Sequence, residues 1–271
     1  MMRRISMPWL AIVSVALMLF LYAPLAVATL YAFNSGANLS WPPQGFSLQW
    51  FARVLSDASF RQAFLNSIIA ATATAIITLL VGSAAALVFA RVRSRGSTLA
   101  EGLGRLPVML PPLLIGIGFV ALMKMTSTAP SMIYIIAGHV VVAIPFVITV
   151  VAARLRTMDV EIEYAARDLG AGPWQTLRRV TLPILAPAII GGAMLAFAWS
   201  FDELLITNFT SGTQSTVPIY VLGRLRRSYD PGANAVAVFL LLIPWIAFAL
   251  AWLFLRRTGG NIGELLGQRV K

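Results

Sequence analysis

The sequence predicts an all-α membrane protein of six transmembrane helices with both termini in the cytoplasm. Three observations predict it. The 271 residues are 59% hydrophobic and only 11% charged, too apolar for a soluble domain and too interrupted for one continuous core. Six stretches, 9–33, 62–90, 106–126, 132–153, 184–206 and 234–255, each supply the roughly 20 mostly apolar residues that a spanning helix needs. The basic residues are also divided unevenly between the loops. One set holds Arg3, Arg4, Arg91, Arg93, Arg95, Arg105, Arg154, Arg156, Arg167, Arg178, Arg179, Arg256, Arg257, Arg269 and Lys271, and the other holds Arg53, Arg61, Lys124, Arg224, Arg226 and Arg227. The count of 15 against 6 puts both termini and the 154–182 loop on the cytoplasmic side.

The first span has a rival reading as a secretory signal, because Arg3 and Arg4 precede it and Ala26-Val27-Ala28 ends it. No charge occurs from Trp9 to Phe33, however, and a signal's apolar region covers only about 7–15 residues, so a retained helix is expected. Residues 34–61 open with the turn-rich "NSGANLSWPPQG". "FSLQWFARVLSDASFRQAF" follows, its apolar residues at mixed three and four spacing, and predicts a helix at the membrane interface anchored by Trp41, Trp50 and Phe51. The third span begins "RLPVMLPPLLIGIGF", where Pro107, Pro111, Pro112, Gly116 and Gly118 should distort or interrupt the helix. Broken backbone at that depth is buried in protein or lines a wet cavity, and the alternative is a kink that only shapes packing. The 207–233 loop has room for a short outer-surface helix but for no span. No repeat of domain size divides the chain, so residues 1–271 read as a single transmembrane domain and as half of an assembly.

Several function classes drop out. With no cysteine there are no disulfides, thiolate metal sites or cysteine nucleophiles. The net charge of +11 reflects topology and does not indicate nucleic-acid binding, because the basic residues lie between apolar runs. His139, the sole histidine, sits in the fourth span without a Gly-x-Ser-x-Gly-like serine or enough acids for a metal centre, so it reads as a hydrogen-bonded packing residue. A self-sufficient channel or carrier would show a filter-like motif or inverted halves. No catalytic or metal-binding residue is expected.

The cytoplasmic loop contains "EYAARDLGAGPWQTLRRVTLP". Asp159, Glu161 and Glu163 suit the positive end of a helix dipole, Ala165, Ala166 and Leu169 continue that helix, and Gly170 stops it. Pro173 then starts a second short helix that ends on Arg178 and Arg179. Two short helices at an angle would present Ala165, Ala166, Leu169, Trp174 and Leu177 as an apolar knob. Such a knob either folds back on the bundle or docks into a partner.

The spacing resembles the EAA loop of permease subunits of binding-protein-dependent ABC importers, which reads Glu-Ala-Ala, three residues, Gly, nine residues, an aliphatic, one residue, Leu-Pro. Ala165, Ala166, Gly170, Val180, Leu182 and Pro183 occupy the matching places, with Tyr164 at the usual glutamate and Glu163 beside it as a substitute. The resemblance implies a type I importer permease fold. It also implies that residues 159–181 dock on a dimer of cytoplasmic ATPase subunits, beside a second, different permease chain and beneath an extracytoplasmic binding protein. ATP and magnesium would act on the ATPase, since this chain has no Gly-x-x-x-x-Gly-Lys-Ser/Thr loop and so needs no cofactor of its own. The implied location is the bacterial inner membrane.

Asp202 and Glu203 lie near the outer end of the fifth span in "LAFAWSFDELLITNF". Ionisable groups there mark a pathway by default, and Phe197, Trp199 and Phe201 add ring faces for an ammonium ligand. The alternative is an interfacial acid pair facing water or Arg224, Arg226 or Arg227. The stretch from Ser200 to Phe239 is similar to permeases of the spermidine/putrescine branch, which implies a polyamine substrate path through Asp202, Glu203, Trp199 and Phe201. Relatives there often carry an acid after the proline of span three, where this chain has Leu113. Another small organic solute is the alternative substrate.

Overall fold

The computed structural model of the chain describes residues 8–38, 40–92, 94–226 and 231–257. Arg3, Arg4, Arg93, Arg227, Arg269 and Lys271 of the charge count lie outside them. The described residues form helices and one isolated antiparallel bridge, between Asn34 and Phe46. The helices are α1 (Pro8–Ala32), α2 (Gln49–Ser56), α3 (Ala58–Arg91), α4 (Arg95–Arg105), α5 (Pro112–Met125), α6 (Met132–Thr157), α7 (Glu161–Asp168), α8 (Pro173–Thr176), α9 (Leu182–Asp202), α10 (Leu205–Thr210), α11 (Val217–Leu225) and α12 (Pro231–Arg257). Five helical segments are long and apolar enough to cross a membrane. The pair Arg95–Met109 plus Pro112–Met125, bent by 100°, makes a sixth if counted as one span.

The third span therefore differs from the expected 106–126. Residues Leu106–Met109 form a 3-10 turn that continues α4, and the helix restarts at Pro112. Leu110, with ψ at 139°, is extended as residues before proline prefer, and consecutive prolines supply no N–H to carry an α-helix through. The 14 residues of α5 reach only about 21 Å at 1.5 Å per residue, short of the hydrocarbon core. The fifth span differs too. It begins at Pro173 and ends at Asp202, because the second loop helix runs through a π-turn, Leu177–Thr181, into α9.

The chain divides into two compact units. The smaller comprises Met1–Arg61 and Val221–Leu241. Its α1 is apolar on every face and largely exposed, as suits a helix bathed in lipid. The predicted interfacial helix is interrupted at Asp57, which separates α2 from α3. Trp50 is not an interface anchor: it is buried, and its indole N–H donates to the Asn34 carbonyl at 2.7 Å. Trp41 is exposed, and Phe51 packs 4.9 Å from Phe33 and 5.8 Å from Phe239. Arg224 pairs with Asp57 at 2.5 Å.

The larger unit, Gln62–Tyr220 and Leu242–Lys271, is organised on α6, which packs along α9 and is buried on most of its length. Small residues allow the approach. A Cβ at Gly192 would stand 3.2 Å from the Val147 Cα, and one at Gly82 would stand 2.9 Å from the Val147 Cβ, so α3 and α9 both close on α6 at Val147. Ile206 seats α10 in a second notch, between Gly116 of α5 and Gly138 of α6.

The helix ends of this unit sort into two groups. One contains Arg91 at the end of α3, α4, the end of α6 and α7: Arg91 pairs with Glu163, and Glu101 accepts from Arg105 at 2.6 Å and Arg156 at 3.3 Å. The other contains Asn66 and Ser67 near the start of α3, which bond the Ser215 carbonyl at 2.8 Å and the Val217 N–H at 2.9 Å. The turn at Gly212 lies against Pro130, between α5 and α6, and so joins this second group.

Candidate functional site

The 154–182 loop forms an elbow. Asp159 accepts the Glu161 N–H at 2.9 Å and so satisfies a free donor at the start of α7. The helix stops as its sequence prescribes. Gly170 has φ 87°, Ala171 N–H donates to the Ala166 carbonyl at 3.0 Å, and Gly170 N–H donates to the Arg167 carbonyl at 2.9 Å, which is the Schellman arrangement. Gln175 then reaches back to accept the Gly172 N–H at 3.3 Å, opening α8 with Pro173 in its first turn.

The elbow keeps large apolar side chains outside. Leu169 is 89% exposed, Trp174 67% and Tyr164 58%, and Ile162 and Val160 lie open beside them. Ala165 is exposed and Ala166 half-buried, while Leu182 and Pro183 begin α9, Leu182 packing on the core. Exposed surface of that kind, rimmed by the exposed Arg178 and Arg179, suits a partner. Glu163 does not belong to it. Its side chain is only 3% exposed, it forms an ion pair with Arg91, and it accepts the Thr181 hydroxyl at 2.6 Å. Burial opposes ionisation of Glu163, but the hydrogen bonds from Arg91 and Thr181 outweigh it and hold the carboxyl below its ordinary value. The surface position of the expected glutamate thus falls to Tyr164, and Glu163 cannot substitute there.

The two adjacent acids also part company. The backbone leaves the α-helix at Glu203, whose ψ is 121°, so Asp202 points to an exposed position while Glu203 turns inward. The Glu203 carboxylate accepts the N–H groups of Ile206 and Thr207, both at 3.0 Å, and thereby caps α10. His139 is buried beside it, with Nδ1 2.7 Å from the Ser200 hydroxyl, Nε2 2.9 Å from the Thr207 hydroxyl and Nε2 3.5 Å from the Glu203 carboxylate. Ser200 in turn donates to Thr74 at 3.4 Å. The histidine is the hydrogen-bonded packing residue that its sequence setting suggested. Trp199 packs edge-on to His139 at 5.8 Å, and Phe201 is buried between Phe64 and Phe197. Glu203 and Phe201 are therefore internal to the bundle and Trp199 is half-buried against it, leaving Asp202 as the one exposed residue of the expected path.

Sequence reasoning missed Arg91, Thr181, Thr74, Ser200 and Thr207. Only Arg91 carried a signal, as the first of three closely spaced arginines, with Arg93 and Arg95, after a long apolar run. Among the described residues no cluster of three or more metal-ligating side chains occurs.

The family described as binding-protein-dependent transport system inner membrane component matches residues 78–260. The spermidine/putrescine transport system permease protein PotC of Escherichia coli (strain K12) is 28% identical over 253 residues, which cover 92% of this chain and 95% of that protein. The putrescine transport system permease protein PotI of the same strain is 33% identical over 260 residues, covering 93% and 92%. Among solved structures, a chain of a bacterial ABC transporter involved in the import of the acidic polysaccharide alginate superposes with a TM-score of 0.70 at 18% identity, covering 93% of this chain and 95% of that one. A chain of the MetNI methionine ABC transporter gives a TM-score of 0.61 at 15% identity over 74% and 98%. At such identities the two structures speak for the fold alone.

Proposed function

Because the chain belongs to the binding-protein-dependent transport system inner membrane components, we propose that it is the permease subunit of an ATP-driven importer that carries polyamines of the spermidine and putrescine kind into the cytoplasm. The chain itself is a non-enzymatic, multi-pass membrane subunit. The observation that carries the polyamine reading is the 33% identity to a putrescine permease across 93% of the chain. Asp202 supports it, since an exposed carboxylate at the outer end of α9 suits a polycation.

In this reading a dimer of ATPase subunits sits under the elbow on the cytoplasmic face of the inner membrane. A second, different permease chain completes the path, and an extracytoplasmic binding protein delivers the substrate. ATP-driven closure of the ATPase dimer and the loaded binding protein favour an outward-open bundle, and hydrolysis relaxes it inward. Residues 159–181 pass on the motion, with Tyr164, Ala165, Ala166, Leu169 and Trp174 as the docking face.

Uptake of labelled putrescine by cells that express the chain together with an ATPase, a second permease and a binding protein of this transporter type tests the proposal. Uptake that needs both this chain and the ATPase is expected. ATP-dependent uptake of a different organic solute, with none of putrescine or spermidine, overturns the polyamine part, and uptake by this chain alone overturns the importer.

A further inference from the structure

Glu163 is the buried charge of an otherwise exposed helix. It is the one buried residue of α7, and its carboxylate bonds to nothing within α7's own turns. A buried carboxylate is costly unless paired, so the partners it keeps indicate what holds α7 in place. They come from two separate spans. Arg91 is the last residue of α3, 72 residues earlier in the chain, and Thr181 closes the π-turn that leads into α9. π-turns are rare and concentrate at functional positions. Here the turn ends on the hydroxyl that meets Glu163.

We propose that Arg91, Glu163 and Thr181 form a clasp that fastens the elbow to α3 and α9, so that a push on α7 moves both spans together. This rests on the reading of the chain as an importer permease, in which the elbow is where force enters. Glu163 is then a positioning residue that acts through α7 and touches neither substrate nor nucleotide. The elbow's two faces divide the work: Tyr164, Leu169 and Trp174 face outward to receive the partner, and Glu163 faces inward to hold the bundle.

Charge-swap variants test the clasp with two readouts. The chain has no cysteine, so a spin label at Ile162→Cys, an exposed position on α7, reports elbow mobility in the chain alone, without substrate or partners. The second readout is ATP hydrolysed per putrescine moved by the complete assembly in proteoliposomes. Arg91→Glu and Glu163→Arg are each expected to raise label mobility at least twofold and the ATP cost per putrescine at least tenfold, with membrane insertion and ATPase association retained. The double variant should return both readouts to within threefold of the parent. Single variants that leave both readouts at parental values overturn the clasp, as does a double variant no better than the worse single one in both. Parental vesicles that move no putrescine would instead count against the polyamine reading, and the mobility readout would still decide the clasp.

Discussion

At the scale of single residues, Asp202 and Glu203 show how far a sequence can be read and where it stops. Both acids stand at the expected end of the fifth span, but their opposite fates follow from one backbone rotation at Glu203 that no local pattern announces. The opposite environments predict opposite phenotypes. Asp202→Asn is expected to reduce polyamine uptake about tenfold, roughly 1.4 kcal/mol of lost interaction, with no change in thermal stability. Uptake equal to the parent would remove Asp202 from the path. Glu203→Ala leaves the Ile206 and Thr207 N–H groups without their acceptor, and a buried donor left unpaired costs about 1–3 kcal/mol. A clear fall in melting temperature in detergent is the expected outcome, and an unchanged value would show that the cap contributes nothing.

At the scale of elements, the punctuation of α7 was legible because Gly170 and Pro173 act through local geometry alone. The left-handed φ of 87° at Gly170 makes Gly170→Ala cost about 1–2 kcal/mol, while proline cannot adopt that angle and lacks the N–H that bonds Arg167. Gly170→Pro and Ala166→Glu are therefore expected to abolish co-purification of the ATPase and uptake while the chain still inserts in the membrane. Retained co-purification would count against the elbow as the docking element. Two elements were not legible. The π-turn that fuses α8 with α9 ends on the buried Thr181, whose hydroxyl meets Glu163 of α7, and its sequence setting reads as an ordinary helix. The break at Leu110 and Pro111 was legible as a break, but its 100° bend depends on how α4 lies against the end of α6, through Glu101 and Arg156.

At the scale of the whole molecule the bend raises a question of topology, since a helix pair turned by 100° is either one broken span or a loop that re-enters the side it left. The contacts of the larger unit decide it. Arg91 and Glu163 meet, so an even number of crossings separates the end of α3 from α7. Between them α6 crosses once, and the bent pair must supply the other crossing. A re-entrant loop would put Glu163 at the opposite end from Arg91, with the membrane between two charges that touch. With the bent pair counted as one span the candidate spans number six, and the lysine and arginine count predicts the elbow on the cytoplasmic side. Single cysteines at exposed positions test this cleanly in a chain that has none. Trp174→Cys is expected to react with a membrane-impermeant maleimide only when the cytoplasmic face is open to it, in inverted vesicles, and to be shielded when the ATPase is bound. Trp41→Cys, in the loop between α1 and α2, should react only in right-side-out vesicles, and labelling of both residues from one face would overturn the six-span topology.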